Sequence, residues 1–348
     1  VEIKEESRLD NEYCIAVQDS THTSEARRTA MQLASRLGLD ETEAGNVGVV
    51  VTEAARNLLK HAGGGEVLLR GLGRDGAAGV EVLSLDKGPG IENVGRSFQD
   101  GYSTAGTPGT GLGAIARLST LHDIYTQPGK GTVLLAQIWK RQVPLQSATA
   151  PGYESGAVSV AKRGEPVSGD AWDLRPSGSG LRLIVADGLG HGLLAADASR
   201  AAIRISAEQP GTAGVRLMEQ IHEALRPTRG AAVAVSEILP GRDLVQYTGL
   251  GNIVGSIIAP GGGVLHLVSH PGTAGHEVHR IAEFQYPYPT GSLLVMHSDG
   301  LSSSWSLDRY PGLAVRHPGV IAGVLYRDHR RERDDATIVV VRRPGSLN

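Results

Sequence analysis

The stretch EAARNLLKHAGGGEV (53–67) decides how the N-terminal part of the chain is read. Glu53, Asn57 and His61 are spaced four apart, which sets them in one polar stripe on a helix, with Val50, Val51, Ala54 and Leu58 on the opposite, apolar face. A carboxylate beside a carboxamide suits a metal–phosphate site. The Asn oxygen can ligate Mg²⁺, and the Glu can orient or deprotonate a nucleophile. Alone, such a stripe is more often a solvated helix face, and His61 more often a packing residue than a phosphoacceptor. Two later stretches change the weighting. In DKGPGI (86–91), directly after a strand, Asp86 can accept a hydrogen bond from an adenine amino group, while Gly88 and Gly90 let the backbone approach a flat ring. In GTGLG (109–113), leading into a helix, Gly109, Thr110, Gly111 and Gly113 offer backbone N–H groups for phosphate. Each piece alone is weak, but the three in this order point to a nucleotide site.

Working outward, YCIAVQ (13–18) alternates as a strand, and 23–37 reads as a helix with Ala30, Leu33, Ala34 and Leu37 on one stripe. Asp40 caps a second helix over 41–61, with Glu43 placed for a capping box. Strands follow at 66–72, 79–85, 123–127 and 132–139, with a short helix over 112–119. The expectation is an α+β domain over 13–141 with one sheet face covered by helices. The glycine-rich QDGYSTAGTPGTG (99–111) suits a mobile lid over about 98–111. QVPLQSATAPG (142–152) lacks periodicity and holds two prolines, as a linker does.

A second α/β set occupies 153–343. Strands are expected at 156–162, 181–186, 231–238, 243–249, 253–258, 292–297 and 336–342, with helices at about 190–206, 213–225 and 317–325. This pattern suggests two sheets with helices outside. Aspartates follow strands or small residues at SGD (168–170), ADG (186–188), SDG (298–300) and RDD (333–335). Asp-Gly is a common turn. Carboxylates gathered from several strand ends can also hold two Mg²⁺ or Mn²⁺, which can activate a water for in-line attack on phosphate. His191 and His270 are further candidates for contact with that phosphate. Trp139, Trp172 and Trp305 show no stacking pattern and read as packing residues.

Composition narrows the classes. The chain has 348 residues, 40% hydrophobic and 20% charged, enough for about two packed domains at roughly 150 residues each. A net charge of −3 speaks against nucleic acid as a partner. No apolar run approaches the roughly 18 residues of a membrane span, and the charged start VEIKEESRLD is no signal peptide. With Cys14 as the single cysteine, a disulfide framework and a multi-cysteine zinc site are excluded. The expected location is the cytoplasm. The 47 glycines, nearly twice the usual share of about 7%, cluster beside Asp, Thr and His.

In that order the three N-terminal pieces resemble the N, G1 and G2 boxes of the GHKL (Bergerat) ATPases, closest to the bacterial serine-kinase switch proteins of anti-sigma and stressosome circuits. TPGTGLGAIARLS (107–119) and YTQPGKGTVLLAQIW (125–139) resemble that subgroup too. The resemblance implies an α/β sandwich that binds ATP with Mg²⁺. It makes Asn57 the Mg²⁺ ligand, Glu53 the catalytic base and Asp86 the adenine contact. Gly88, Gly90, Gly109, Gly111 and Gly113 become nucleotide-loop residues, and Thr132 a residue near adenine. The second half resembles the PPM metal-dependent serine/threonine phosphatases in their SpoIIE-like branch, with TGLGNIVGSI (248–257) and SHPGTAGHEVHRI (269–281) as added matches. That implies an α-β-β-α sandwich with two Mn²⁺ or Mg²⁺. Asp187 would bridge the metals, the Gly188 carbonyl would contact one, and Asp170, Asp299 and Asp334 would complete the set directly or through water. Ser168 stands where the branch often has glycine, which removes no ligand.

The implied function is a bifunctional enzyme acting on Ser or Thr of STAS-domain partners in a sigma-factor or stress pathway. The main alternative is a phosphatase governed by a nucleotide-sensing domain that transfers nothing. A third reading is a non-catalytic protein that sequesters a sigma factor or STAS domain. Free running of both activities on one serine would be a futile cycle. Different substrates or reciprocal control are therefore expected, with the helices over 190–226 as the switching element by resemblance.

Overall fold

The computed structural model describes residues 12–74, 77–97, 111–140, 153–178, 180–212 and 214–343. They form two compact units, one of the residues up to 140 together with Val315–Arg327, the other of 153–314 with 328–343. The lid over about 98–111 lies mostly outside the described residues, as does the linker 142–152.

In the first unit, β1 (Glu12–Val17), β2 (Gly65–Arg74), β3 (Ala77–Leu85), β4 (Leu121–Gln127) and β5 (Gly131–Trp139) form one antiparallel sheet in the order β1-β2-β3-β5-β4. The helices are α1 (Ser20–Arg36), α2 (Glu41–Asn57), the single turn α3 (Val94–Ser97) and α4 (Gly111–Leu118). Val47, Val50, Val51, Ala54 and Leu58 share one core with Val67, Leu69, Val80, Val82, Leu134 and Ala136 of the sheet. The expected capping box is present: Glu43 N–H donates to Asp40 Oδ1 at 2.7 Å, and Asp40 N–H to Glu43 Oε2 at 2.9 Å.

The sequence pattern anticipates one covered sheet face, yet every residue of β3 is buried, as befits a strand covered on both sides. The second cover comes from late in the chain. Gly319 and Gly323 lie on α7 (Pro318–His329), and β-carbons at those positions would meet Leu135, and Leu83, Val133 and Leu85, respectively. All ten residues Pro318–Arg327 are buried, so this helix is enclosed rather than amphipathic. At its start, His317 N–H donates to Asp123 Oδ2 at 2.7 Å.

The second unit stacks two sheets. One runs β13-β10-β9-β8-β7, with β14 beside β10; the other runs β12-β11-β15-β16-β6. The strands are β6 (Glu154–Val160), β7 (Asp170–Ser177), β8 (Gly180–Gly188), β9 (Ala231–Leu239), β10 (Leu244–Leu250), β11 (Val254–Ile258), β12 (Val264–Leu267), β13 (Ser269–His270), β14 (Phe284–Pro287), β15 (Leu293–His297) and β16 (Ala336–Arg342). Leu183, Val185, Ala234 and Val245 meet Ile257, Leu294, Met296 and Val339 between the sheets. Helices α5 (Leu193–Glu208) and α6 (Gly214–Leu225) pack on the β7–β10 sheet. The sequence reading has no strand at β7, because DAWDLRPS carries charges and Pro176. As an edge strand β7 tolerates the missing N–H donor.

Arg182 of β8 anchors the end of α5. It is 1% exposed, pairs with Glu237, and donates to the carbonyls of Ser206, Gln209 and Thr212.

Candidate functional site

Helix α2 stops at Asn57, and the chain continues as one π-helical turn, Leu58–Ala62. Such turns are rare and recur at functional sites. Glu53 and Asn57 stay side by side where α4 begins. A β-carbon on Gly111 would lie 3.2 Å from Glu53 Oε2 and 3.5 Å from Asn57 Oδ1. The start of α4 thus passes close to the carboxylate–carboxamide pair. Glu53 also pairs with Arg56 at 2.9 Å, a contact the sequence reading does not include. His61 lies in the π turn, close enough to Asp86 for that charge to favour its protonated form, although burial and Lys60 hold its pKa below the usual value.

Asp86 follows β3 and is fixed from two sides. Its Oδ1 accepts from Gly88 N–H at 2.8 Å and from Thr132 N–H at 3.1 Å, and its own N–H donates to Thr132 O at 2.9 Å. Burial pushes its pKa up, against those hydrogen bonds and the charges of Arg327 and His61. Arg327 donates to the Asp86 carbonyl at 3.1 Å. Gly131 has φ +85°, and a β-carbon there would lie 2.0 Å from the Asp86 carbonyl oxygen. Only glycine fits, and the close approach presses the β4–β5 turn onto the Asp86 loop. Thr126 completes the cradle and is absent from the sequence reading. It accepts from Ile91 N–H at 2.9 Å and lies 3.2 Å from Thr132 Oγ1. Among the candidates, Gly109 and Thr110 lie outside the described residues, while Gly113 is buried within α4.

In the second unit the sheet register sets Asp170 directly opposite Asp187. Asp187 is also opposite Ala232, and Gly188 opposite Ala231. Asp299 and Asp334 reach the same place from the other sheet, as their charges on Asp187 show. Asp170 is 6% exposed. Its Oδ2 accepts from Ser298 Oγ at 2.6 Å, and its Oδ1 is buried with no partner. Ser298 in turn accepts from Thr337 N–H at 3.0 Å. Asp299 Oδ2 accepts from Asn252 Nδ2 at 2.8 Å. Of the last pair, Asp334 is exposed and accepts from Asp335 N–H, whereas Asp335 is buried and accepts from Lys162 N–H at 2.8 Å.

Electrostatics favour the protonated form of the buried carboxylates in this cluster. Burial, then the charges of Asp170, Asp299, Asp334 and Asp335, push Asp187 up to about 9. Burial, partly offset by the Ser298 hydroxyl, pushes Asp170 up to about 7. Carboxylates held this close need positive charge between them to ionise together. Among the described residues no three acidic, His or Cys side chains close on one point as a finished cation site. The partnerless Asp170 Oδ1 and Asp335 Oδ2, with oxygen donors throughout, nevertheless fit hard divalent ions. Of the two histidine candidates, His191 is held by Glu165 at 2.6 Å, and His270 packs on Phe284 with ring centroids 5.7 Å apart. Ser298 and Asn252 were missed in the sequence. Ser298 had the signal of standing directly before Asp299, and Asn252 that of closing the glycine run TGLGN.

Comparison with known proteins bears on the two domains. Residues 16–138 match the profile of the histidine kinase-like ATPase domain, and residues 177–344 that of stage II sporulation protein E. This chain joins a histidine kinase-like ATPase domain to a SpoIIE-type PPM phosphatase domain. The ATPase domain is similar to serine/threonine-protein kinase RsbT of Bacillus subtilis (strain 168), 27% identical over 133 residues, 38% of this chain and all of RsbT. The SpoIIE-type domain is similar to phosphoserine phosphatase RsbX of the same organism, 28% identical over 142 residues, 40% of this chain and 71% of RsbX. A solved structure reported as "The bacterial stressosome: a modular system that has been adapted to control secondary messenger signaling" aligns with a TM-score of 0.51 and 29% identity. It covers 55% of this chain and 99% of the other. Among the described residues no helix is long and apolar enough to cross a membrane.

Proposed function

We propose that the chain is a two-way switch enzyme for STAS-domain proteins of a bacterial sigma-factor or stress pathway. The ATPase domain phosphorylates a serine or threonine of the partner, and the SpoIIE-type domain removes phosphate from such a residue. The observation that carries the reading is the gathering of Asp170, Asp187, Asp299 and Asp334 from two sheets, with a buried carboxylate oxygen left without a partner. Similarity to a kinase and a phosphatase, RsbT and RsbX, supports the pairing of activities.

In the phosphatase site, Asp187 with Asp170, Asp299, Asp334 and the Gly188 carbonyl would hold two Mn²⁺ or Mg²⁺. Bound there, the cations supply an activated water for attack on phosphorus. Ser298 donates to Asp170 and Asn252 to Asp299, and these bonds would orient the two carboxylates as ligands. In the ATPase domain Asn57 would offer its oxygen to the Mg²⁺ of ATP, and Asp86 would accept from the adenine amino group beside Thr132. Gly88, Gly90, Gly109, Thr110, Gly111 and Gly113 would line the nucleotide. Glu53 would take the proton of the partner's hydroxyl as that oxygen bonds to the γ-phosphorus, the bond from phosphorus to the β–γ bridging oxygen breaks, and ADP leaves. The domains would span 13–141 and 153–343, and the protein would work in the cytoplasm.

A second reading draws on the Arg56–Glu53 ion pair. A glutamate held by arginine suits a domain that binds nucleotide, transfers nothing and governs the phosphatase. Intact-mass measurement of STAS partners from the same genome separates the readings. The partner is incubated first with ATP–Mg²⁺, then in phosphorylated form with Mn²⁺. A phosphoryl gain lost in Glu53→Ala, and a phosphoryl loss abolished in Asp187→Ala, are expected of a two-way switch. Loss without any gain supports the second reading, and neither gain nor loss overturns both.

A further inference from the structure

The side chains of the phosphatase site described above are acids, and a cationic side chain at its edge would add a direct hold on the phosphoryl group. Of the basic groups around it, His191 is committed to Glu165. Arg331 lies on the Asp299 side of the site, where its charge lowers the pKa of that carboxylate, and its backbone N–H donates to Gly300 O at 2.7 Å. Arg229 is different. It stands two residues before Ala231, the register partner of Gly188, and Leu189 N–H donates to Gly230 O at 3.0 Å. The turn that carries it is fixed. Thr228 Oγ1 donates to Leu225 O at 2.7 Å and accepts from Gly230 N–H at 3.0 Å. Gly190, three residues after Asp187, has φ +92°, and a β-carbon there would lie 3.0 Å from Arg229 Nη1. The guanidinium therefore lies against the bare α-carbon of Gly190, in the loop that follows Asp187 and Gly188 at the end of β8. It is exposed, and among the described residues it forms no ion pair, whereas its neighbour Arg226 pairs with Glu223 at 2.7 Å.

We propose that Arg229 binds the phosphoryl group of the substrate, its guanidinium donating to two non-bridging oxygens above the Asp187–Gly190 loop. A planar fork matches a phosphate edge, and its fixed charge complements the dianion that the surrounding aspartates repel. Arg229 exchanges no proton in the reaction. It holds the phosphoryl group while the bond from phosphorus to the serine oxygen breaks and the bond to water oxygen forms. The proposal rests on the phosphatase reading, and its test separates the two.

The full chain is assayed on p-nitrophenyl phosphate with Mn²⁺, as wild type, Arg229→Ala, Arg229→Lys and the control Arg226→Ala. Inorganic phosphate serves as competing product, and its binding is also measured by calorimetry in the presence of Mn²⁺. Losing a charged hydrogen-bond pair should raise both KM and the phosphate inhibition constant about ten- to hundredfold in Arg229→Ala. The fall in kcat should be smaller, Arg229→Lys should recover part of the loss, and Arg226→Ala should match wild type. Mn²⁺ affinity and melting temperature should stay those of wild type. Phosphate affinity within about twofold of wild type in Arg229→Ala overturns the proposal. So does a loss of Mn²⁺ binding that Arg229→Lys does not repair, because it marks a purely structural role. A wild type that turns over no phosphoester defeats the phosphatase reading, and the calorimetric comparison then still decides for or against Arg229.

Discussion

Ser298→Ala tests how the phosphatase aspartates are held. The hydroxyl is fully buried, donates to Asp170 Oδ2 at 2.6 Å and accepts from Thr337 N–H at 3.0 Å. A short hydrogen bond to a carboxylate contributes roughly 1.5–3 kcal/mol, and stranding a buried amide costs about 1–3 kcal/mol. Some relaxation around a one-atom deletion is expected, so the total loss should be about 3 kcal/mol. Domains of this size have roughly 5–15 kcal/mol of stability, so the variant should fold and yet be measurably loosened. Native-state hydrogen exchange reads the loss locally. Peptides covering β7, β8 and β16 are followed in chelator, so that bound metal does not mask the change. The exposed Ser304→Ala serves as control. The Mn²⁺ concentration for half-maximal phosphatase activity should also rise, because Asp170 loses the group that orients it. A loss of protection under about 0.5 kcal/mol with an unchanged Mn²⁺ requirement would refute the assignment of Ser298 as the holder of Asp170.

Three further outcomes follow from the geometry. Asn252→Ala removes the donor to Asp299 Oδ2 and should raise the Mn²⁺ requirement about tenfold in a metal titration, the scale of a lost outer-shell partner. Gly131→Ala drives a methyl group into the Asp86 carbonyl and should abolish ATP binding by calorimetry while leaving phosphatase activity on a small phosphoester intact. Arg182→Met strands the buried Glu237 and removes the donor to the carbonyls of Ser206, Gln209 and Thr212 and should cost about 3–5 kcal/mol in urea unfolding of the second unit, followed by hydrogen exchange of β8 and β9.

The α+β class and most elements were legible because their signals are local. The four-residue spacing of Glu53 and Asn57, the Asp40–Glu43 box and the turn chemistry of Asp86-Lys87-Gly88-Pro89-Gly90 are all written within one or two turns of chain. Strand β7 was not legible, because burial of an edge strand depends on which neighbour covers it rather than on its own alternation.

By itself the sequence determined where two chemistries could lie: an acid–amide helix with glycine loops, and aspartates at strand ends. Tertiary structure alone decided which groups hold them. Ser298 meets Asp170 across 128 residues and Asn252 meets Asp299 across 47. Arg229 comes beside Gly190 through the pairing of β8 with β9, and the sheet of the first unit gains its second cover from Val315–Arg327. A helical stripe or a turn is set by backbone geometry over a few residues, so its residues can be read in order. A contact between distant segments is selected by packing and by the cost of burying a polar atom without a partner, and neither leaves a pattern along the chain.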